Sequence, residues 1–155
     1  MDKAFMARAI RLSLENVDSG RGGPFGAVIV NDNRIVAEGA NRVTVNHDPT
    51  AHAEVIAIRQ ACHTLGVFQL KDCEIYTSCE PCPMCLGAIY WARLSRVYYA
   101  SLAGDAVQAG FDDSLIYGEL AKPLSERSIP MHQLMREEAL AAFHAWKNFP
   151  HKTAY

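Results

Sequence analysis

Two short segments of this chain combine residue types that bind metal ions and transfer protons. They read His-Ala-Glu at positions 52–54 and Pro-Cys-Pro-Met-Cys at positions 81–85. One imidazole and two thiolates supply three ligands for a tetrahedral zinc ion and leave the fourth position for water. Zinc lowers the pKa of such a water to about 7, so hydroxide becomes available at neutral pH. We therefore predict one zinc ion per chain, held by His52, Cys82 and Cys85.

Glu54 is not needed as a further ligand, but it is well placed to handle protons beside the metal. Two residues apart, Glu54 and His52 lie roughly 200° apart around a regular helix and diverge in its middle. Their side chains can converge only at the mouth of a helix. We expect such a helix to be capped by Asp48, to have Pro49 at its first position and to end at Gly66. Glu54 is accordingly the predicted catalytic acid–base group.

Cys82 and Cys85 are three residues apart, so they lie on one face of a helix that Pro83 can begin. Two helix N-termini would then meet at the metal, and their positive ends favour a site that contains two thiolates. A Cys-x-x-Cys pair alone is also typical of redox sites. Cys79, at the same spacing, could instead complete a closed structural zinc site that has no open position. The His-x-Glu segment upstream favours the catalytic site over both alternatives.

The bulk composition is that of an ordinary globular domain. The chain has 155 residues, of which 50% are apolar and 21% charged, and this fits a single domain over 1–155. The formal charge of -2 argues against broad electrostatic capture of nucleic acid. The amino-terminal segment lacks the unbroken apolar run of a signal peptide or a membrane span. We expect a cytoplasmic protein without membrane contact, in which the five cysteines stay reduced.

Periodicity and turn residues predict strands that alternate with helices. A first helix, capped by Asp2, is expected to bury one face, formed by Met6, Ala9, Ile10, Leu14 and Val17. A turn at 31–33 joins the first two strands into a hairpin. Strands are expected at 27–30, 35–38, 73–78 and 96–100, and later helices from Pro83 and within 112–121 and 136–149. This order predicts an α/β fold, a three-layer αβα sandwich with a mixed central sheet.

Longer stretches of sequence extend the metal signature. His-x-Glu together with Pro-Cys-x-x-Cys is typical of zinc nucleobase deaminases. The runs GGPFGAVIV, DPTAHAEVIAIRQAC, YTSCEPCPMCLGAIYWAR and AGFDDSLIY, with an aromatic tail that ends at Tyr155, carry a further likeness. Over nearly its whole length the chain resembles the bacterial guanine deaminases of the cytidine deaminase superfamily. The resemblance implies a cytidine deaminase-like fold and zinc-dependent hydrolysis of guanine to xanthine and ammonia, a step of guanine breakdown.

The resemblance also implies which residues contact a purine base. These are Phe25, Asn41, Ala53, Trp91, Asp113 and Tyr155. Asn41 would read the polar edge of the base, and Asp113 would be a second proton shuttle or would recognise a ring N–H. By residue type alone, Asn41 could serve a turn and Asp113 could cap a helix. Phe25 and Trp91 could equally be core residues.

The C-terminal segment, about 136–155, ends in aromatic residues on either side of a proline. In the guanine deaminases a similar tail crosses to the other subunit and seals its active site. The resemblance therefore implies a homodimer with an exchanged C-terminal segment. Two alternatives remain open from the sequence. One is a tRNA adenosine deaminase, which shares the zinc signature but needs a basic surface for its tRNA. The other is a non-catalytic structural zinc module.

Overall fold

A computed structural model describes residues 2–155, which contain four strands and seven α-helices. The strands are β1 (Gly26–Asn31), β2 (Arg34–Ala40), β3 (Cys73–Cys79) and β4 (Arg96–Ser101). The helices are α1 (Lys3–Asp18), α2 (Val43–Asn46), α3 (Ala53–Leu65), α4 (Pro83–Trp91), α5 (Ala103–Gln108), α6 (Ser114–Ala121) and α7 (Arg136–Asn148). A 3-10 turn occupies Leu124–Glu126. None of the helices in these residues is long and apolar enough to cross a lipid bilayer.

The sheet has the strand order β2-β1-β3-β4. β1 runs antiparallel to both of its neighbours, whereas β3 and β4 run parallel. The β1–β2 hairpin closes through Asp32 and Asn33, whose φ angles are 46° and 58°. Positive φ at both central residues is what a two-residue type I′ turn requires, and Asn and Asp tolerate it. The hairpin turn expected from the sequence is therefore present.

Alternate residues of the central strands enter two separate cores. On the α3 side the core includes Ala27, Ile29, Ala57, Ile58 and Ile75. On the α1 side it includes Ala9, Val28, Val30 and Tyr76. Because each face of the mixed sheet is covered by its own helix, the predicted α/β sandwich with three layers is confirmed.

α1 packs on the sheet with only part of the face that was predicted: Ala9 lies in the core and Met6 packs against it. The residues that it buries are Ala9, Ser13 and Asn16. Ile10, Leu14 and Val17 are exposed, so the predicted apolar stripe is wrong for these three residues. α1 crosses the start of β1 so closely that a Cβ on Gly26 would overlap the carbonyl oxygen of Ala9. Small side chains fit at this crossing, while Phe5, Met6 and Leu12 pack against the core beside it.

α3 begins later than the sequence indicated. Its first residue is Ala53, so the predicted start at Asp48 and Pro49 is wrong. The Oδ1 atom of Asp48 accepts hydrogen bonds from the backbone nitrogen and the Oγ1 atom of Thr50, at 2.8 and 2.7 Å. Such side-chain bonds to a nearby backbone stabilise a turn in competition with a helix. Gly66 ends the helix as expected, with a left-handed φ of 66°.

The chain divides into two compact units at the junction of Asp113 and Ser114. The second unit contains α6, the 3-10 turn and α7, and none of its residues is buried. Its exposed large apolar residues are Leu115, Ile116, Tyr117, Leu120, Leu124, Ile129, Met131, Leu134, Met135, Phe143, Trp146, Phe149 and Tyr155. The second unit therefore has no hydrophobic core of its own.

Candidate metal centre and active site

The N-termini of α3 and α4 bring three potential ligands together. His52 is the N-cap residue of α3 and Cys82 that of α4, and both have extended backbones. Neither side chain accepts a hydrogen bond from its own helix, although N-cap side chains usually do. Pro83 takes the first position of α4, and Cys85 follows in the first turn. Both N-cap side chains are thus available as ligands, at helix ends that favour negative charge.

The three ligand atoms have the spacing of a tetrahedral zinc site. The Nδ1 atom of His52 lies 3.6 Å from the Sγ atom of Cys82 and 3.5 Å from that of Cys85. All three atoms lie within 4.8 Å of one another. Tetrahedral zinc, with bonds of about 2.0–2.1 Å to nitrogen and 2.3 Å to sulfur, places these two atom types about 3.6 Å apart. The donor set therefore fits zinc and leaves a fourth position for water.

Cys79 lies at the end of β3, where it still pairs with Ser101 of β4. It is buried, and its Sγ atom lies 3.7 Å from the carbonyl oxygen of Leu102. Within residues 2–155, the group with converging ligand atoms consists of His52, Cys82 and Cys85 and does not include Cys79. The geometry favours an open site with three protein ligands over a closed site with four.

Hydrogen bonds within the cluster shift the pKa values of its two cysteines in opposite directions. Hydrogen bonds from Cys85 and then from His52 lower the pKa of Cys82 to about 4. The hydrogen bond to Cys82 raises the pKa of Cys85 above its usual range. The hydrogen bond with Cys82 also raises the pKa of His52. Thiolates are the metal-binding form of cysteine, so a zinc ion held here would require Cys85 to release its proton.

Glu54 lies in the first turn of α3, beside the cluster. Its side chain is 5% exposed. Its Oε2 atom is 3.4 Å from the Sγ atom of Cys85, and its Oε1 atom accepts a hydrogen bond of 3.2 Å from the hydroxyl of Thr77. Desolvation by burial raises the pKa of Glu54. A carboxyl group whose pKa is raised toward neutral can both accept and donate a proton.

Asn41 directly follows β2 and is buried in a network of hydrogen bonds. Its Oδ1 atom accepts from the backbone nitrogens of Val43 at 3.3 Å and Gly23 at 3.4 Å. The side-chain amide of Asn16, on α1, donates to the carbonyl oxygens of Asn41 at 3.0 Å and Gly23 at 2.8 Å. Asn16 also accepts a hydrogen bond from Arg42. Because the Asn41 oxygen is occupied, its amide nitrogen is the group that it can offer to a ligand.

Phe25 forms an edge-to-face aromatic pair with Phe111, with ring centroids 4.9 Å apart and an angle of 85°. Phe25 packs against the core on the α3 side, whereas Phe111 is 43% exposed. Desolvation, and then the negative charge of Cys82, raise the pKa of Asp113. Sequence reasoning missed Phe111, although it lies within the run AGFDDSLIY that carried the family resemblance.

Two of the predicted base-contacting residues, Ala53 and Trp91, do not present their side chains to the cluster. The side chain of Ala53 is fully buried in the core. Trp91 ends α4, about 13 Å along the helix axis from Cys82, and is exposed. The structure thus does not bring Trp91 to the cluster of its own chain, because the cluster lies at the opposite end of that helix. Tyr155 is exposed and belongs to the second unit.

Gly39 determines how closely α3 can approach β2. A Cβ at this position would overlap the carbonyl oxygen of Ala53 and lie 2.8 Å from the backbone nitrogen of Ala57. Ala53 directly follows His52, so this close packing helps to fix the position of a candidate ligand. A glycine within a strand often marks such an approach of another backbone, and this signal was present in the sequence.

Comparisons with known proteins agree with this geometry. Residues 1–101 match the family described as the cytidine and deoxycytidylate deaminase zinc-binding region. Guanine deaminase from Bacillus subtilis is 60% identical over 153 residues, which cover 99% of this chain and 98% of that protein. The X-ray structure of guanine deaminase from Bacillus subtilis matches with a TM-score of 0.97 and 59% identity, covering 100% of this chain and 99% of that chain. A tRNA-specific adenosine deaminase from Agrobacterium fabrum is 39% identical over 128 residues, 76% of this chain and 83% of that protein.

Proposed function

The chain belongs to the zinc-binding cytidine and deoxycytidylate deaminase family, and on that premise we propose that it is a guanine deaminase. It hydrolyses the bond between C2 and the exocyclic nitrogen, so that guanine and water give xanthine and ammonia. The observation that carries this proposal is the 60% identity to Bacillus subtilis guanine deaminase over 99% of the chain. The tRNA-specific adenosine deaminase from Agrobacterium fabrum is less similar, at 39% identity, and a net charge of -2 offers no general attraction to tRNA.

In this function His52, Cys82 and Cys85 hold one zinc ion per chain. When bound, zinc supplies a water whose pKa is lowered to about 7. The three side chains start from the ends of two packed helices, and the positive ends of those helices stabilise the charge of two thiolates. Thiolate ligands need reducing conditions. All five cysteines are free, which supports a cytoplasmic location.

Glu54 acts as the proton carrier. It takes a proton from the attacking water and delivers it to the ring nitrogen beside C2. The exocyclic amine must also be protonated before it leaves as ammonia, and one buried carboxyl group can serve for both transfers. Asp113, whose pKa is raised by desolvation and then by the charge of Cys82, is a second shuttle or recognises a ring N–H.

The polar edge and the face of the base are recognised by different residues. The amide nitrogen of Asn41 donates a hydrogen bond to the polar edge of the purine. Phe25, supported by Phe111, covers one face of the ring. Ala53 contributes through its backbone at the start of α3, because its side chain belongs to the core. We leave Trp91 outside the site of its own chain.

The working protein is a homodimer that exchanges its C-terminal segment, residues 136–155. The second unit exposes many apolar side chains and buries none, so a partner must supply its core. α4 is apolar around its whole circumference, yet Leu86, Tyr90 and Trp91 on it are exposed. Helices of this composition are normally buried. A second copy can cover both surfaces through one symmetric interface, and Tyr155 then closes the partner's site over the base.

Complementation tests the exchange between chains. A chain with Glu54→Gln and an intact tail is mixed, under dissociating and then refolding conditions, with a chain that keeps Glu54 but lacks Pro150–Tyr155. Exchanged tails give heterodimers with one repaired site, and activity then exceeds that of either parent. If heterodimers form and their activity does not exceed that of the parents, each tail covers its own site or none.

The function itself is tested by ammonia release from zinc-loaded protein. The substrates are guanine, adenosine, cytidine and a tRNA stem-loop that contains adenosine. We expect turnover of guanine, and the Glu54→Gln variant should retain zinc while its kcat falls at least about 10²-fold. Turnover of the stem-loop without turnover of guanine would identify a tRNA deaminase instead. A zinc-loaded protein that acts on none of the four would indicate a structural zinc module.

A further inference from the structure

Thr77 is a buried polar residue that takes no direct part in the proposed reaction. It lies on β3 with 1% of its surface exposed, and its backbone pairs with Ala27 and Tyr99 on the two neighbouring strands. Ile75, two residues earlier on the same strand, belongs to the core on the α3 side. Since side chains of a strand alternate between the faces of a sheet, Thr77 faces α3 as well. Its hydroxyl donates to the Oε1 atom of Glu54 at 3.2 Å.

The second oxygen of Glu54 has a partner that zinc would remove. The Sγ atom of Cys85 donates to Oε2 at 3.4 Å. A coordinating thiol is deprotonated, and a thiolate has no proton to donate. If Cys85 binds a metal, the Glu54 carboxylate keeps Thr77 as its side-chain hydrogen-bond donor within the described residues.

We infer that Thr77 is a positioning residue for Glu54, and this inference rests on the proposed function. The terminal torsion of a glutamate is soft, so a carboxylate without partners can rotate about it. The hydroxyl of Thr77 fixes one oxygen toward β3 and leaves the other directed at the metal cluster, where the protons are transferred. A small misplacement of a reacting group can lower a rate by up to about 100-fold. Loss of the hydroxyl should therefore lower kcat by about 10- to 100-fold and leave the KM for guanine nearly unchanged.

Two substitutions separate the hydroxyl from the shape of the side chain. Thr77→Val keeps the branched shape and removes the donor, whereas Thr77→Ser keeps the donor and removes a methyl group. Ser95→Ala is the matched control, because the hydroxyl of Ser95 donates to the carbonyl oxygen of Cys73 at 2.7 Å, at the other end of β3. It removes a side-chain hydrogen bond to the same strand, from an exposed residue far from the cluster.

The experiment measures kcat and KM for guanine, zinc content and thermal unfolding for each variant. Thr77→Val should lose turnover while it retains zinc, Thr77→Ser should recover most of the loss, and Ser95→Ala should affect stability alone. In a background of Glu54→Gln, Thr77→Val should cause no further loss, because a residue that acts through Glu54 has nothing left to position.

Three results would overturn the inference. One is a Thr77→Val enzyme with kcat within about twofold of the wild type. Another is a loss of kcat from Thr77→Val that is equally large in the wild type and in the Glu54→Gln background. The third is a Thr77→Val protein that loses zinc or does not fold, if Thr77→Ala then fails in the same way. That result would show that the hydroxyl stabilises the sheet and does not position Glu54. The wild type is assayed first: if it does not act on guanine, the proposed function fails, whereas an active wild type with an unaffected Thr77→Val variant refutes this inference alone.

Discussion

Replacement of Gly39 by alanine tests whether the close packing of α3 on β2 holds the metal ligands in position. The added Cβ would overlap the carbonyl oxygen of Ala53 and lie 2.8 Å from the nitrogen of Ala57. Both atoms belong to the backbone, and relief of the closer contact, with the Ala53 oxygen, would require the start of α3 to move by about 1 Å or more. Metal–ligand distances tolerate changes of only about 0.2 Å. The variant should therefore lose zinc affinity as well as stability.

The expected size of the stability loss follows from overpacking, which costs about 1–3 kcal/mol. For a chain of this length that lowers the melting temperature by about 3–9 °C. Thermal unfolding measures the loss of stability, and competition with a chromophoric chelator measures the loss of zinc affinity. Gly104→Ala is the control, because Gly104 lies in α5 with no atom within 4 Å of an added Cβ. If Gly39→Ala melts and holds zinc as Gly104→Ala does, the packing argument is refuted.

Three further predictions concern the ligand set, an ion pair and a buried amide. Metal analysis should find that Cys82→Ala loses most of its zinc while Cys79→Ser keeps both metal and activity; loss of metal from Cys79→Ser would instead support the closed structural site. Hydrogen bonds of 2.6 and 2.7 Å from Arg8 lower the pKa of Glu38 from its ordinary 4.5. This ion pair therefore stabilises the fold fully above pH 4.5, and its contribution is lost as the pH falls through the lowered pKa. The side chains of this pair are 28% and 36% exposed, so Glu38→Gln should cost about 0.5 kcal/mol of unfolding free energy at pH 7 and nothing in acid; a cost that persists in acid contradicts the assignment. Asn16→Ala removes the side-chain amide that donates to the carbonyl oxygens of Asn41 and Gly23, and it should raise the KM for guanine roughly tenfold. An unchanged KM would show that this network does not position Asn41.

The group of candidate metal ligands and the order of helices and strands could be predicted because their sequence signals are local. Cys82 and Cys85 are separated by one helical turn, and Pro83 marks the helix start between them. The hairpin turn at 31–33 and the end of α3 at Gly66 depend on residues that tolerate positive φ. Each of these features is determined within a few residues of itself, and so a sequence pattern suffices.

The features that were missed depend on contacts between distant segments. Thr77 meets Glu54 across 23 positions of sequence, and Gly39 meets the backbone of α3. The buried side of α1 was predicted only in part because apolar periodicity alone does not show that Gly26 and Asn16 draw a small and polar face toward the sheet. Hydrophobic periodicity predicts that a helix forms, whereas the partner across the interface decides which face is buried.

The late start of α3 is what allows one His-x-Glu segment to serve two tasks. With a helix that began at Pro49, His52 and Glu54 would both lie within regular turns and their side chains would diverge by roughly 200°. Instead the turn formed by Asp48 delays the helix, and His52 keeps an extended backbone with ψ of 154°. Its imidazole is then directed toward Cys82, while Glu54, already helical, reaches the hydroxyl of Thr77 and the thiol of Cys85. The helix boundary, and not the motif alone, therefore separates the proposed ligand from the proposed proton carrier.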